Sequence, residues 1–247
     1  LDIDGVRGGK LNCDGIVISH YHMDHLGQLT AALPEIPLYM GGLSKEIALI
    51  GAEYQNKDLY LRLLGANTFR GGEAFTIGNI HIRPLVIDHS AVDSYMFVIE
   101  AEDKRVLYTG DFRMHGVRGH VLEKLIRTYI DDVDVLITEG TSLSRNAHDG
   151  ISEREVLDDI SSYIQDGKYV FVMCSSTNID RIMGIWHNMP TDKVLICDAY
   201  QKRILDTVID NVYYDSSLYR RHDGPLVLDI GAYPKYYMDH GFVSLVR

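Results

Sequence analysis

The stretch Ser19-His20-Tyr21-His22-Met23-Asp24-His25-Leu26-Gly27 constrains this chain more than any other. It packs three imidazoles and a carboxylate between positions 20 and 25, directly after the apolar run Gly15-Ile16-Val17-Ile18. The apolar run reads as a buried strand, and the histidines then fall in the loop that leaves it. A fold that accommodates the string must bring ring nitrogens and a carboxylate to one point, which suits holding two metal ions side by side. Imidazole nitrogen and carboxylate oxygen are donors that zinc takes, and a catalytic zinc site keeps one position open for water.

Two later segments have the form needed to complete such a site. Ile87-Asp88-His89-Ser90 puts a histidine at the end of an apolar strand. Leu107-Tyr108-Thr109-Gly110-Asp111-Phe112-Arg113 puts an aspartate at the end of the next, behind a glycine that frees the backbone to turn. Ligands on loops at strand ends are held by a rigid sheet and stay open to solvent. A lone histidine such as His89 is ordinarily a satisfied core or surface imidazole, and Asp111 alone is an ordinary turn aspartate; the upstream string gives both their meaning. His81, His115, His120, His148, His187, His222 and His240 have no such context and are read as non-ligands.

Around these motifs the chain divides in two. Residues 1–150 are strand-rich: Asp14–Ser19, Ala74–Ile77, Ile80–Ile87, Tyr95–Ala101, Arg105–Thr109 and Val133–Thr138, with turn signals at Gly78-Asn79 and Glu102-Asp103-Lys104. Asp24 and His25 open a short helix through Leu33 that Pro34 ends, and Leu43–Leu64 has helical apolar spacing. A polar, turn-rich stretch at Ser144–Ser152 leads into residues 151–247. There the capping box Ser152-Glu153-Arg154-Glu155 starts a helix to Ile164. Tyr169–Cys174, Asn178–Asn188, Val194–Cys197 and Tyr200–Val212 then alternate strand and helix, which means parallel βαβ units. Leu1–Gly5 and Gly241–Val246 both read as strands, so the chain is expected to be a piece of a longer one, cut at both ends.

Composition limits the function classes. A chain of 247 residues, 46% hydrophobic and 24% charged, buries a sizeable core, and its apolar runs are strand-length. The net charge of −11 argues against a broadly basic nucleic-acid surface, although Arg113, Arg118, Lys124 and Arg127 form a local cationic segment. A solvated helix face explains the last three equally well. Cys13, Cys174 and Cys197 are widely spaced with no CxxC, which reads as reduced, mostly buried thiols in a cytoplasmic protein.

The motifs resemble those of the metallo-β-lactamase fold superfamily. His20-x-His22-x-Asp24-His25 is similar to its HxHxDH signature, His89 to its third-motif histidine and Asp111 to its bridging aspartate. The resemblance implies that His20, His22 and His89 hold one metal, that Asp24 and His25 hold the other, and that Asp111 bridges both. Asp2 or Asp4, just before Gly5, stands where the superfamily has a structural aspartate. His89-Ser90-Ala91-Val92-Asp93-Ser94, Thr109-Gly110-Asp111-Phe112 and Thr138-Glu139-Gly140-Thr141 resemble segments of the β-CASP branch, ribonuclease J in particular. Cys174-Ser175-Ser176-Thr177-Asn178-Ile179-Asp180-Arg181 is similar to the Ser-Ser-Asn stretch that opens a βα unit in the β-CASP domain.

That resemblance implies an α/β fold with two modules. Residues 1–150 would be the N-terminal part of an αββα metallo-β-lactamase sandwich, and 151–247 a β-CASP-like parallel α/β domain. It also implies a phosphodiester hydrolase, a ribonuclease in which a water activated by two Zn²⁺ ions attacks phosphorus in line. Asp24, Asp111 and Glu139 would be catalytic, with Glu139 helping to protonate the leaving oxygen; its bland alternative is a capping carboxylate. Ser90, Ser175, Ser176 and Asn178 would contact the substrate, the last three at a helix N-terminus where they serve equally as N-caps. The implied partner is nucleic acid, single-stranded RNA rather than a membrane, with a homo-oligomer left open. One departure stands out. β-CASP enzymes carry two further histidines late in the chain, and Asp239-His240-Gly241 has the wrong surroundings for either, so the second zinc site is expected to be incomplete here. The rival readings are a hydrolase of a small ester, thioester or lactam on the same fold, and a catalytically silent nucleic-acid-binding scaffold.

Overall fold

The computed structural model describes residues 3–141, 150–211, 217–219, 227–229 and 235–247. Asp2, His148, His222 and most of the 144–152 boundary stretch lie outside them. The chain forms two compact units: Leu1–Met114 with Arg118–Ala147, and His115–Val117 with His148–Arg247. Among the described residues no helix is long and apolar enough to cross a membrane.

The first unit begins with β1 (Ile16–Val17), the short helix α1 (Met23–Leu26) and β2 (Leu38–Gly41). Helices α2 (Gly42–Gln55) and α3 (Lys57–Leu64) then lead to β3 (Asn67–Phe69), and β1, β2 and β3 form a parallel sheet. The expected single helix over 43–64 is broken at Asn56. This residue is extended (φ −155°, ψ 99°), and its side-chain oxygen accepts from the Leu59 N–H at 3.0 Å. An asparagine that caps a new helix competes with continuing the old one. The helix expected through Leu33 is also shorter, stopping at Leu26 before a 3₁₀ turn at Leu29–Ala31.

A second sheet follows, in the order β4 (Phe75–Ile77), β5 (Ile80–Ile87), β6 (Ser94–Ala101), β7 (Lys104–Tyr108) and β8 (Val135–Ile137). The first three junctions are antiparallel; β8 runs parallel to β7, reached through helix α4 (Val121–Tyr129). Glu102 and Asp103 both adopt positive φ (50° and 58°), which matches the two-residue turn joining β6 to β7. Alternation sorts the side chains. Leu85, Ile87, Met96, Val98 and Leu107 pack with Leu122 and Leu125 of α4. Ile82, Tyr95 and Phe97 point the other way, toward Phe69, Val17 and Tyr39 of the first sheet. Both faces of β5, β6 and β7 are therefore covered, as a two-sheet sandwich requires, whereas Val135, Leu136 and Ile137 of the edge strand β8 are exposed.

Of the expected strand over Leu1–Gly5, the described residues 3–5 form none. Asp4 instead makes an isolated bridge to Gly8 around a turn in which Gly5 has φ +77°.

The second unit contains α5 (Glu153–Asp166), β9 (Tyr169–Met173), α6 (Ile179–Asn188), β10 (Val194–Cys197) and α7 (Ala199–Asn211). It ends with β11 (Val227–Asp229), α8 (Lys235–His240) and β12 (Phe242–Val246). All pairings are parallel, in the order β11-β10-β12-β9. The capping box forms as expected: Ser152 accepts from the Glu155 N–H while Glu155 accepts from the Ser152 N–H. Mixed α/β architecture, with a parallel module after an antiparallel sandwich sheet, agrees with the sequence. No disulfide joins the three cysteines; Cys174 and Cys197 are buried and Cys13 is half-buried.

Candidate metal centre

The site is built at the carboxyl ends of β1, β5 and β7. Ile18 extends β1 by donating to the Tyr39 carbonyl, and the Ser19 carbonyl then accepts from the Tyr95 N–H of β6 at 3.0 Å. That bond ties the histidine loop of one sheet to the other. Gly110 makes the convergence possible: it has φ +56°, and a Cβ there would meet the Tyr95 carbonyl oxygen at 2.7 Å and the Ser19 Cβ at 3.1 Å. Only glycine allows the strand end carrying Asp111 to approach the loop carrying His20 so closely.

His20 is fully buried at the centre. Its ring centroid lies 4.0 Å from that of His25, 4.7 Å from that of His89 and 4.8 Å from that of His22. The Ser19 hydroxyl sits 3.1 Å from Nδ1, whereas Nε2 is buried with no hydrogen-bond partner. Burial, together with the neighbouring His25, His89 and His22, pushes this imidazole down to about 2. Burial, His22 and Arg113 likewise push His89 down to about 4 against the opposing pull of Glu139. His22 is also lowered, chiefly by burial. These imidazoles are neutral at ordinary pH and keep a lone pair each.

Two ligand groups result, His20-His22-His89 and His20-His25-Asp111, each with its donor atoms within 4.8 Å of one another. In the first, His22 Nδ1 and His89 Nε2 face each other at 3.1 Å. In the second, His25 Nε2 lies 3.3 Å and His20 Nε2 4.0 Å from Asp111 Oδ2. Asp24 falls outside both groups; its largely exposed carboxylate lies 3.6 Å from His25 Nε2. The unpartnered, buried Nε2 of His20 is costly by itself, since a buried polar atom without a partner loses its hydration. A cation removes that cost, and a nitrogen-rich set with one carboxylate suits zinc.

The remaining predicted residues are distributed as follows. Glu139, at the end of β8, is half-buried and accepts from the Phe112 N–H at 2.8 Å and from the Thr141 hydroxyl. Burial pulls its carboxyl upward, but the Thr141 and Phe112 hydrogen bonds outweigh this and hold it below its usual range. Ser90 is half-buried beside His89. Ser175, Ser176 and Asn178 belong to the second unit, between β9 and α6. Asn178 precedes α6 but makes no side-chain cap, and its Oδ1 and the Ser176 Oγ are buried without partners. The N-cap alternative for Asn178 is therefore not what the side chain does.

Arg113 is a correction to the cationic segment. Its guanidinium side chain is only 11% exposed and pairs with Asp88, Nε to Oδ1, at 2.9 Å, so it does not serve an exposed polyanion path. Lys124 and Arg127 do lie on the exposed face of α4. Sequence reasoning gave no role to Ser19, which supports His20, or to Asp88, which adjoins His89. Their adjacency to ligands was the only available signal.

A family model described as a β-lactamase superfamily domain matches residues 8–165, well over half of the chain. Among curated proteins the chain is 22% identical to a ribonuclease J of Sinorhizobium meliloti over 85% of its own length and 38% of the relative's. It is 26% identical to a ribonuclease J 2 of Streptococcus pyogenes over 75% of its length and 34% of the relative's. The chain thus spans little more than a third of these relatives. Among solved structures, a protein of unknown function from Enterococcus faecalis V583 superposes with a TM-score of 0.76 at 16% identity, covering all of this chain and 61% of that one. That likeness concerns the fold alone.

Proposed function

The chain belongs to the β-lactamase superfamily, and on that premise we propose that it carries the metal centre of a phosphodiester hydrolase, a ribonuclease working with two zinc ions on single-stranded RNA. The observation that carries this reading is that one buried, uncharged imidazole with an unpartnered nitrogen, His20, stands within reach of both the His22–His89 pair and the His25–Asp111 pair. Relatives named ribonuclease J supply the nuclease and RNA parts of it.

In this reading His20, His22 and His89 would hold one ion, Asp24 and His25 the other, and Asp111 would serve both. A bound pair of divalent ions supplies Lewis acidity, lowering the pKa of water and neutralising charge on phosphoryl oxygens. The chain's own residues do the rest. Ser19 occupies Nδ1 of His20, which leaves Nε2 as the donor atom. Neutral imidazoles keep their lone pairs available near neutral pH. Glu139, held ionised by Thr141 and Phe112, orients a proton-donating group instead of giving up a proton itself. Ser90, Ser175, Ser176 and Asn178 contact substrate phosphates. The 1–150 module carries the metals and the 151–247 module, of β-CASP type, holds the strand; both work in the cytoplasm.

The test joins elemental analysis of the purified chain to cleavage of an end-labelled single-stranded RNA, with a generic ester and lactam in parallel. Bound zinc and RNA products are expected, with fewer than two ions per chain where the second site is incomplete. Ester or lactam turnover without RNA cleavage would move the reading to the small-substrate hydrolases, and absence of bound metal would end it.

A further inference from the structure

We infer that Asp88 is a positioning residue, which sets the distance between the two halves of the metal centre by latching the His89 loop to the Asp111 loop. The inference rests on the two-metal reading above. β5 ends beside His89 and β7 ends beside Asp111, but the two strands are not neighbours, because β6 runs between them. With strands spaced about 4.8 Å apart, their ends stand roughly 10 Å from each other, and no ladder hydrogen bond joins them. Asp88 spans this gap with three hydrogen bonds. Its carbonyl accepts from the Arg113 N–H at 2.9 Å, its Oδ1 from Arg113 Nε at 2.9 Å, and its Oδ2 from the Arg118 N–H at 2.8 Å. Asp88 is one residue from His89, and Arg113 is two residues from Asp111. His89 belongs to one ligand group and Asp111 to the other.

Burial makes the arrangement hard to explain as a stability device. The Asp88 side chain is fully buried and that of Arg113 is 11% exposed. A buried ion pair of this kind is often no better than apolar residues of the same volume, although removing one partner is strongly destabilising. What the pair does provide is a fixed separation in two directions, set by the Arg113 Nε bond to Oδ1 and the Arg118 N–H bond to Oδ2 of the same buried carboxylate. Arg113 also neutralises Asp88, so this carboxylate does not compete with Asp111 for a cation. Glu139 restrains the same loop from β8 through Phe112, and the metal-bearing turn is thereby held from both sides.

The test titrates the chelator-treated chain with Co²⁺, reading the visible d–d bands and the binding isotherm, and follows thermal melting of the metal-free protein. Three proteins are compared: the parent, Asp88→Asn, and the double variant Asp88→Leu with Arg113→Met, which removes both charges. The parent should take up Co²⁺ with a defined isotherm and visible d–d bands. Asp88→Asn should bind with ~10–100-fold lower affinity and altered bands, the range seen when outer partners of ligands are lost. The double variant should recover the melting temperature but not the affinity or the bands. A double variant that regains parental stability, affinity and spectrum would show the pair to be structural filler and overturn the inference. Parental binding by Asp88→Asn would overturn it as well. A parent that takes up no metal would instead remove the two-metal reading on which it stands.

Discussion

At the carboxyl ends of β5 and β8 in the first unit, the carboxylates beside the ligands are tied down. Asp88 accepts from Arg113 and Arg118, and Glu139 from Phe112 and Thr141. Asp93, just ahead of β6, accepts from the Ser44 N–H and the Tyr95 hydroxyl. At the carboxyl ends of β9 and β10 in the second unit the opposite holds, with Ser176 Oγ, Asn178 Oδ1 and Gln201 Nε2 all buried without partners. In the first unit His20 Nε2, at the centre of the ligand groups, is buried without a hydrogen-bond partner. The difference separates two ways of preparing a site. A metal centre needs donors held to within a fraction of an ångström, so its surroundings are over-determined. In the proposed reading, the second-unit edge keeps hydrogen-bonding capacity uncommitted for a polymer, at a standing cost in stability.

The largest effect expected from breaking the first arrangement comes from Asp111→Asn. Phosphodiesterase activity should fall by more than the ~10–100-fold that outer partners of ligands are worth, while melting of the metal-free protein stays near parental. Unchanged cleavage would remove Asp111 from the centre. Gly110→Ala comes next. A side chain at this positive φ costs about 1–3 kcal/mol, and its Cβ would press on the Tyr95 carbonyl. Chemical denaturation should register that loss together with reduced zinc content, because the Asp111 turn is forced away from Ser19. A stable variant with full zinc content would show that the close approach is not needed.

The metal-free centre also predicts a pH dependence. His20 and His89 titrate in the folded chain at about 2 and about 4, against a value near 6.5 when unfolded. Between about pH 6.5 and 4 the unfolded chain therefore binds more protons than the folded one, so stability rises with pH and is lost on acidification. Melting in chelator should fall from pH 7 to pH 5, and His89→Gln should flatten the slope. A profile as steep in the variant as in the parent would assign the loss to other groups.

How much of this could be read from the sequence follows from the range of the interactions. The histidine string and the strand ends near His89 and Asp111 were visible, because local spacing fixes them. So were the capping box at Ser152 and the alternation after it. The break at Asn56 was not, since helical apolar spacing continues across it and only the side-chain bond to Leu59 decides the matter. Arg113 was misassigned for a related reason. Its partner Asp88 lies 25 residues away, and nothing local distinguishes a guanidinium buried in a pair from one facing a polyanion. Ligand identity was local, whereas the supports of the ligands were not.

The smallest effect is the most discriminating for the second unit, and it compares two serines. Ser152 is a used cap, accepting from the Glu155 N–H, so Ser152→Ala should cost about 1 kcal/mol. Ser176 is equally polar and more deeply buried, but its hydroxyl has no partner. Ser176→Ala removes a desolvated group that nothing satisfies, and stability should hold or rise by up to ~1 kcal/mol. If that hydroxyl is kept for a substrate phosphate, KM for RNA should increase in Ser176→Ala and remain parental in Ser152→Ala. Equal destabilisation of the two variants, with KM unmoved in both, would place Ser176 among the structural caps and erase the contrast between the two sheet edges.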